Sequence, residues 1–296
     1  MISKFRIGVL VIILNFFASV AMIWGQDNPS LLQMAVPSLN SAPDARGGGM
    51  GDMGAATLPD INSQYWNAAK YAFMGSKAGV SLSYTPWLRK LVNDVALVNM
   101  TGYYKLGNSD LQAISASLRY FSLGEVNIWE NIGDVPYGLN PYEMAFDVAY
   151  SRKLSESYSM AVTLRYIRSD MGTDQNDESN AGNAFSADIS GYLEKYVLMG
   201  NAEALWSFGF NLSNIGSKIS YDGGNTNQYL PAKLTLGTGL LYPIDDYNQI
   251  GVYLDLNKYM VPYAPQKEEG ETDADYQTRV DDYKSWSSLS GMLKSF

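Results

Sequence analysis

The chain has 296 residues, a formal net charge of −9, 46% hydrophobic and only 17% charged residues, and neither cysteine nor histidine. Disulfide staples, thiol chemistry and Ser-His-Asp or Cys-His catalysis are therefore excluded, and zinc loses both of its common ligands. The acidic balance disfavours nucleic acid as a partner.

Residues 1–25 carry Lys4 and Arg6, then an apolar core from Ile7 to about Ala21, and end before the polar Gln26. This pattern reads as a secretory signal peptide; the apolar core is short for a membrane anchor and no stop-transfer charges follow. A polar, Gly-rich segment spans 26–77, expected to lie in the periplasm or to fold into the domain behind it. Within it Gly49, Gly51 and Gly54 match the spacing of a dinucleotide fingerprint, but a loop rich in Ser, Pro, Asp and Arg precedes them where that fingerprint needs a buried strand. Their plainer use is close backbone packing of a plug.

From Ala78 to Val261 about nine stretches of roughly ten residues alternate apolar and polar side chains. Ile114, Ala116, Leu118 and Tyr120 fall on one face of such a stretch, and Ser115, Ser117 and Arg119 on the other. A soluble β-sandwich also alternates, but its strands are shorter, about five or six residues, whereas a tilted membrane strand needs about nine to eleven. Aromatic residues gather near segment ends, as Tyr84 with Trp87 and Tyr259 with Tyr263, where an amphipathic ring suits a membrane interface. The expected fold is all-β, a transmembrane antiparallel barrel with strands over 78–262.

Connections alternate in length, with short turns after Leu106, Leu154, Val197 and Pro243 and long ones over Gly124 to Pro141, Met171 to Asn183 and Gly216 to Tyr229. Barrels of this class keep short turns in the periplasm and long loops outside. Arg119, Asp147, Arg165, Asp188 and Asp255 fall on polar strand faces and should meet in the lumen, either as a ligand path or as an ion-pair network that rigidifies it. Trp129, Tyr137, Tyr142, Tyr221 and Tyr229 are candidates for partner contact on the outer side. Asp174, Asn176, Asp177 and Glu178 offer oxygen ligands but lack the ordered spacing of a calcium loop. Residues 263–296 do not alternate. They form an acidic run and a weakly helical stretch, expected to be mobile or helical above the outer rim. Nine is an odd strand count, so the native chain is expected to continue for several strands beyond 296.

The run Arg46-Gly47-Gly48-Gly49-Met50-Gly51-Asp52-Met53-Gly54-Ala55, with Asn62-Ser63-Gln64-Tyr65-Trp66-Asn67-Ala68-Ala69-Lys70, resembles the N-terminal region of the PorV family within the FadL-like barrels. The resemblance extends along the chain. It implies fourteen strands and an N-terminal hatch, to which Gly49, Gly51, Gly54, Asn62 and Asn67 would belong. Ala68 stands where hydrocarbon transporters of that group read Pro.

It further implies a non-enzymatic outer-membrane protein without cofactor, in a type IX secretion system. Its partners would be secreted cargo with a C-terminal signal domain, a large translocon barrel of the Sov/SprA type, the sortase-like protease PorU with its attachment complex, and outer-membrane lipid. The alternatives are a passive FadL-like transporter of hydrophobic molecules and, disfavoured by the missing histidine, a lipid deacylase.

Overall fold

The computed structural model describes residues 32–107, 110–129, 135–172, 181–200, 202–224 and 226–295, with the side chain of Tyr137 not described. The signal-peptide segment, the Asp174 to Glu178 cluster and Phe296 lie outside the described residues.

The alternating stretches form one antiparallel sheet. Its strands are β1 (Ala78–Pro86), β2 (Val95–Leu106), β3 (Gln112–Leu123), β6 (Tyr142–Lys153), β7 (Tyr158–Asp170), β8 (Gly182–Met199), β9 (Ala202–Gly216), β10 (Lys233–Pro243) and β11 (Gln249–Tyr259). Each pairs with its neighbour in chain order, as an up-and-down wall requires. A small hairpin of β4 (Val126–Ile128) and β5 (Tyr137–Leu139) interrupts the order inside a long connection. Three-residue strands are too short to register as alternation, which is why the sequence reads that stretch as loop.

Burial runs opposite to that of a soluble sheet. On β3 the apolar Ile114, Leu118 and Tyr120 are exposed while Ser115, Ser117 and Arg119 are buried, and on β6 Phe146, Val148 and Tyr150 are exposed while Glu143, Asp147 and Ser151 are buried. In water this would leave a broad apolar surface unpaired, whereas in a bilayer it places hydrocarbon against hydrocarbon. No described helix is long and apolar enough to cross a membrane.

The pleat also divides the aromatic pairs at the strand ends. Tyr104 and Tyr120 face outward, whereas Tyr103 and Phe121 are buried.

The buried polar face surrounds residues 32–77. This segment holds α1 (Ala45–Gly49), α2 (Ser63–Trp66) and 3-10 turns at Pro37–Asn40 and Ala68–Phe73. It begins at the long-connection end, where Ala35 donates to the Tyr229 carbonyl (2.9 Å) and Val36 and Leu39 pack with Ile219 and Leu230. It leaves at the short-turn end, where Ala69 and Tyr71 pack with Tyr103, Ala113 and Ala161. Both sheet edges hold it, since Ser83 of β1 donates to the Pro43 carbonyl and Asp255 of β11 accepts from Gly54 and Ala55.

Beyond β11 the acidic segment becomes helical, in α3 (Asp273–Ser285) and α4 (Ser288–Lys294). Thr272 caps α3 by accepting from the Asp275 amide, and Arg279 pairs with Glu268 and Glu271. Met292 of α4 packs with Tyr229, Ala232, Met260 and Val261, so this helical pair sits at the long-connection end.

Candidate functional site

Three arrangements carry the chemistry of the molecule: the grip on the inner segment, a buried charge cluster, and the long-connection mouth. The grip centres on residues 54–57. The Asp255 carboxylate accepts from the amides of Gly54 (2.8 Å) and Ala55 (3.0 Å), while Ser207 of β9 donates to the Ala56 carbonyl (2.7 Å). Asn67 donates from Nδ2 to the carbonyls of Ala55 and Gly191, both at 2.9 Å, and its Oδ1 accepts from the Ala69 amide. Lys70, fully buried, donates to the Gly54 carbonyl (2.8 Å) and Thr57 Oγ1 (3.1 Å). Burial pushes this ammonium down to about 8.

Two wall glycines make room for this loop. A Cβ on Gly209 would stand 1.9 Å from the Ala55 carbonyl oxygen, and one on Gly237 would stand 2.9 Å from Ala55 Cβ.

The glycines named from the sequence divide by role. Gly54 lies so close to Trp66 that a Cβ would overlap the indole, and Gly47, not singled out beforehand, does the same on another side of the ring. Gly51 holds a left-handed backbone (φ 79°), and Gly49 has open space around it. Asn62 Oδ1 is buried without a hydrogen-bond partner among the described residues and its backbone amide donates to Asp60 (3.0 Å), whereas Asn67 is the central brace.

The five charges expected to meet in the lumen separate into two groups. Arg165 joins Asp147 (Nε to Oδ1, 2.7 Å) and Asp188 (2.9 Å), and Asn214 accepts from the same guanidinium. A bulge between β8 and β9 aims these groups at Arg165: the register slips at Ala187/Ile189, and Asn214 takes a left-handed conformation (φ 59°). Arg119 and Asp255 serve the inner segment instead. Arg119 donates to the carbonyls of Ser38 (2.9 Å) and Ser41 (3.1 Å) and lies over the Tyr65 ring, 4.4 Å from its centroid. Glu143, also absent from the sequence-based set, accepts from the Ser38 amide.

A polar void of about 20 Å³ remains between Arg165, Asn211, Lys233 and Asp255, room for a water and too small for an organic ligand.

At the mouth, Trp129 is exposed, whereas Tyr142 stacks on Tyr120 of the outer wall (5.4 Å) and accepts from Arg168. Tyr221 turns inward, its hydroxyl 2.9 Å from Ser169 Oγ. Tyr229 is buried beneath Tyr283 and Lys218. Above these lies a groove of about 230 Å³ lined by Tyr229, Pro265, Tyr276, Val280, Tyr283 and Lys284, which the sequence did not suggest because its two sides come from distant parts of the chain. Burial raises the Tyr229 phenol to about 12 and also raises the Tyr283 phenol.

A family model described as "Type IX secretion system protein PorV" matches residues 25–267. The chain belongs to the PorV family. No curated protein matches it. Membership assigns the chain a role in type IX secretion alongside the other secretion machinery, within a family of secretion-system components and not of enzymes. Residues 32–77, within the matched range, are the segment that these hydrogen bonds hold against the sheet.

Proposed function

We propose that this PorV-family chain sits in the outer membrane as a cargo shuttle of the type IX secretion system. It binds the C-terminal signal domain of secreted cargo as that domain leaves a large Sov/SprA-type translocon barrel, and delivers it to the attachment complex that contains the sortase-like protease PorU. The long-connection mouth is the outward, cargo-facing side, and residues 26–77 are the hatch. The observation that carries this reading is a filled interior beneath an aromatic mouth. Side chains of β1, β2, β3, β7 and β9 donate to carbonyls or side chains of the hatch, the Gly191 carbonyl of β8 accepts from Asn67, and the polar void left beside β9 to β11 has about 20 Å³. A passive transporter of hydrophobic molecules needs a continuous apolar path, whereas a carrier of folded cargo needs an exposed amphipathic surface on a rigid support. The tyrosine-lined groove between residues 226–229 and α3 supplies such a surface, and Trp129 adds an exposed ring at the same end.

The test is recovery of the tagged full-length protein from native outer membranes, with a photo-crosslinking residue at Tyr276 or Trp129. Capture of secreted proteins sharing one C-terminal domain, together with the sortase-like protease, is the expected result. Recovery of the barrel alone with an apolar molecule inside would replace this reading with the transporter.

A further inference from the structure

The turn between β1 and β2, residues 87–94, is exposed throughout and combines apolar and cationic side chains in the order Trp87, Leu88, Arg89, Lys90, Leu91, Val92. Neither Arg89 nor Lys90 has an ion pair or a hydrogen bond among the described residues, although acidic residues outnumber basic ones 30 to 21 in the chain. Asp94, the carboxylate nearest in sequence, is turned away to accept from the Glu125 amide (2.6 Å).

The turn is nevertheless ordered. Trp87 donates to the Val95 carbonyl and packs edge-on against Phe121 (5.8 Å), and the amides of Leu91 and Val92 both donate to the Leu88 carbonyl. Leu88 is held in the left-handed region (φ 50°), a conformation unfavourable for leucine, yet its side chain is 61% exposed and Leu91 is 80% exposed. The two hydrogen bonds to its carbonyl hold the backbone in that geometry, while the leucine side chains themselves stay exposed.

Leu88 follows the end of β1 by two residues, so its exposed side chain comes next in the chain after Val80, Leu82 and Tyr84 of that strand's exposed outer face. The apolar side of the turn is thus an extension of the wall that faces hydrocarbon, and the two cations stand where that wall ends. Apolar side chains at acyl depth with paired cations at headgroup level fit an amphiphile with an anionic phosphate headgroup.

We propose that residues 87–94 form an interfacial binding site for an anionic, phosphate-bearing membrane lipid, with Arg89 and Lys90 on the phosphate and Leu88 and Leu91 against the acyl chains. Charge complementarity and continuity with the hydrocarbon-facing wall identify a lipid as the occupant; an acidic protein would leave the leucines unmatched.

The test uses the full-length protein in nanodiscs of phosphatidylcholine with a minority of phosphatidylglycerol, and counts the lipids that remain bound on release in native mass spectrometry. Phosphatidylglycerol is expected to be enriched on the native protein. The double variant Arg89→Gln, Lys90→Gln is expected to reduce that enrichment on the order of tenfold or more, from about fivefold per cation. Lys195→Gln, which removes an exposed cation at the short-turn end, is expected to leave it unchanged. Absence of enrichment, its persistence in the double variant, or equal loss in Lys195→Gln would overturn the proposal.

Discussion

Single residues show how tightly the interior is held. Arg165 is a buried cation between two buried carboxylates, so removing it leaves both without their main partner. Arg165→Leu is expected to destabilise the barrel by about 3–5 kcal/mol, measured by urea unfolding in lipid vesicles, and the triple change Asp147→Asn, Arg165→Met, Asp188→Asn to recover most of the loss.

Gly209→Ala acts by steric overlap. Its Cβ would occupy the position of the Ala55 carbonyl, and amides 54–57 are expected to exchange hydrogen faster with the wall amides unchanged.

Lys70 gives a pH dependence of definite sign. Its ammonium is lowered from 10.5 to about 8 in the folded protein, so between those values the unfolded chain binds more protons and stability rises with pH. Below about 8 both states are charged and the folded one bears the full burial penalty, on the order of 3 kcal/mol. Exchange protection of the hatch, corrected for intrinsic rate, is expected to increase from pH 8 to 10, and Lys70→Met to flatten that profile.

Among the elements, the nine long strands were legible because exposed apolar and buried polar side chains alternate along each, and alternation survives whichever side faces hydrocarbon. The hatch was legible as a segment but not in its conformation. Its turns and helices are only four to six residues long, too short for a periodic pattern, and partners such as Ser207 and Asp255 stabilise the segment from far along the chain. For the same reason one lumen network was expected where two groups exist: a strand pattern places Arg119 and Arg165 on one face but does not tell which carbonyl or carboxylate lies opposite.

The terminal helices depend on a few contacts at the mouth. Tyr283 packs against both Tyr229 and Trp286, and Lys218 donates to the Lys284 carbonyl. Tyr283→Ala is expected to loosen α3, read as faster tryptic cleavage at Arg279 and Lys284 without change in the rest of the digestion pattern.

At the scale of the whole molecule, absence of cysteine from the chain allows one engineered crosslink to be interpreted without background. Ala56→Cys with Ser207→Cys would fasten hatch to wall where Ser207 Oγ already reaches the Ala56 carbonyl. Oxidation is expected to leave cargo capture intact, because the shuttle reading uses the mouth and keeps the hatch still. Loss of capture on oxidation, regained on reduction, would mean that the hatch must move.

The path of the hatch also bears on how the wall is put together. Residues 32–39 lie at one mouth, residues 68–74 at the other, and β1 starts four residues later. A segment that runs from one mouth to the other, with bulky side chains such as Tyr71 fully buried, is poorly suited to being drawn through a finished wall. The strands have reason to assemble around it, so that the hatch serves as the form on which curvature is set. Its shape then belongs to the assembly route as much as to the finished molecule, and loosening it should show first as slow or failed insertion.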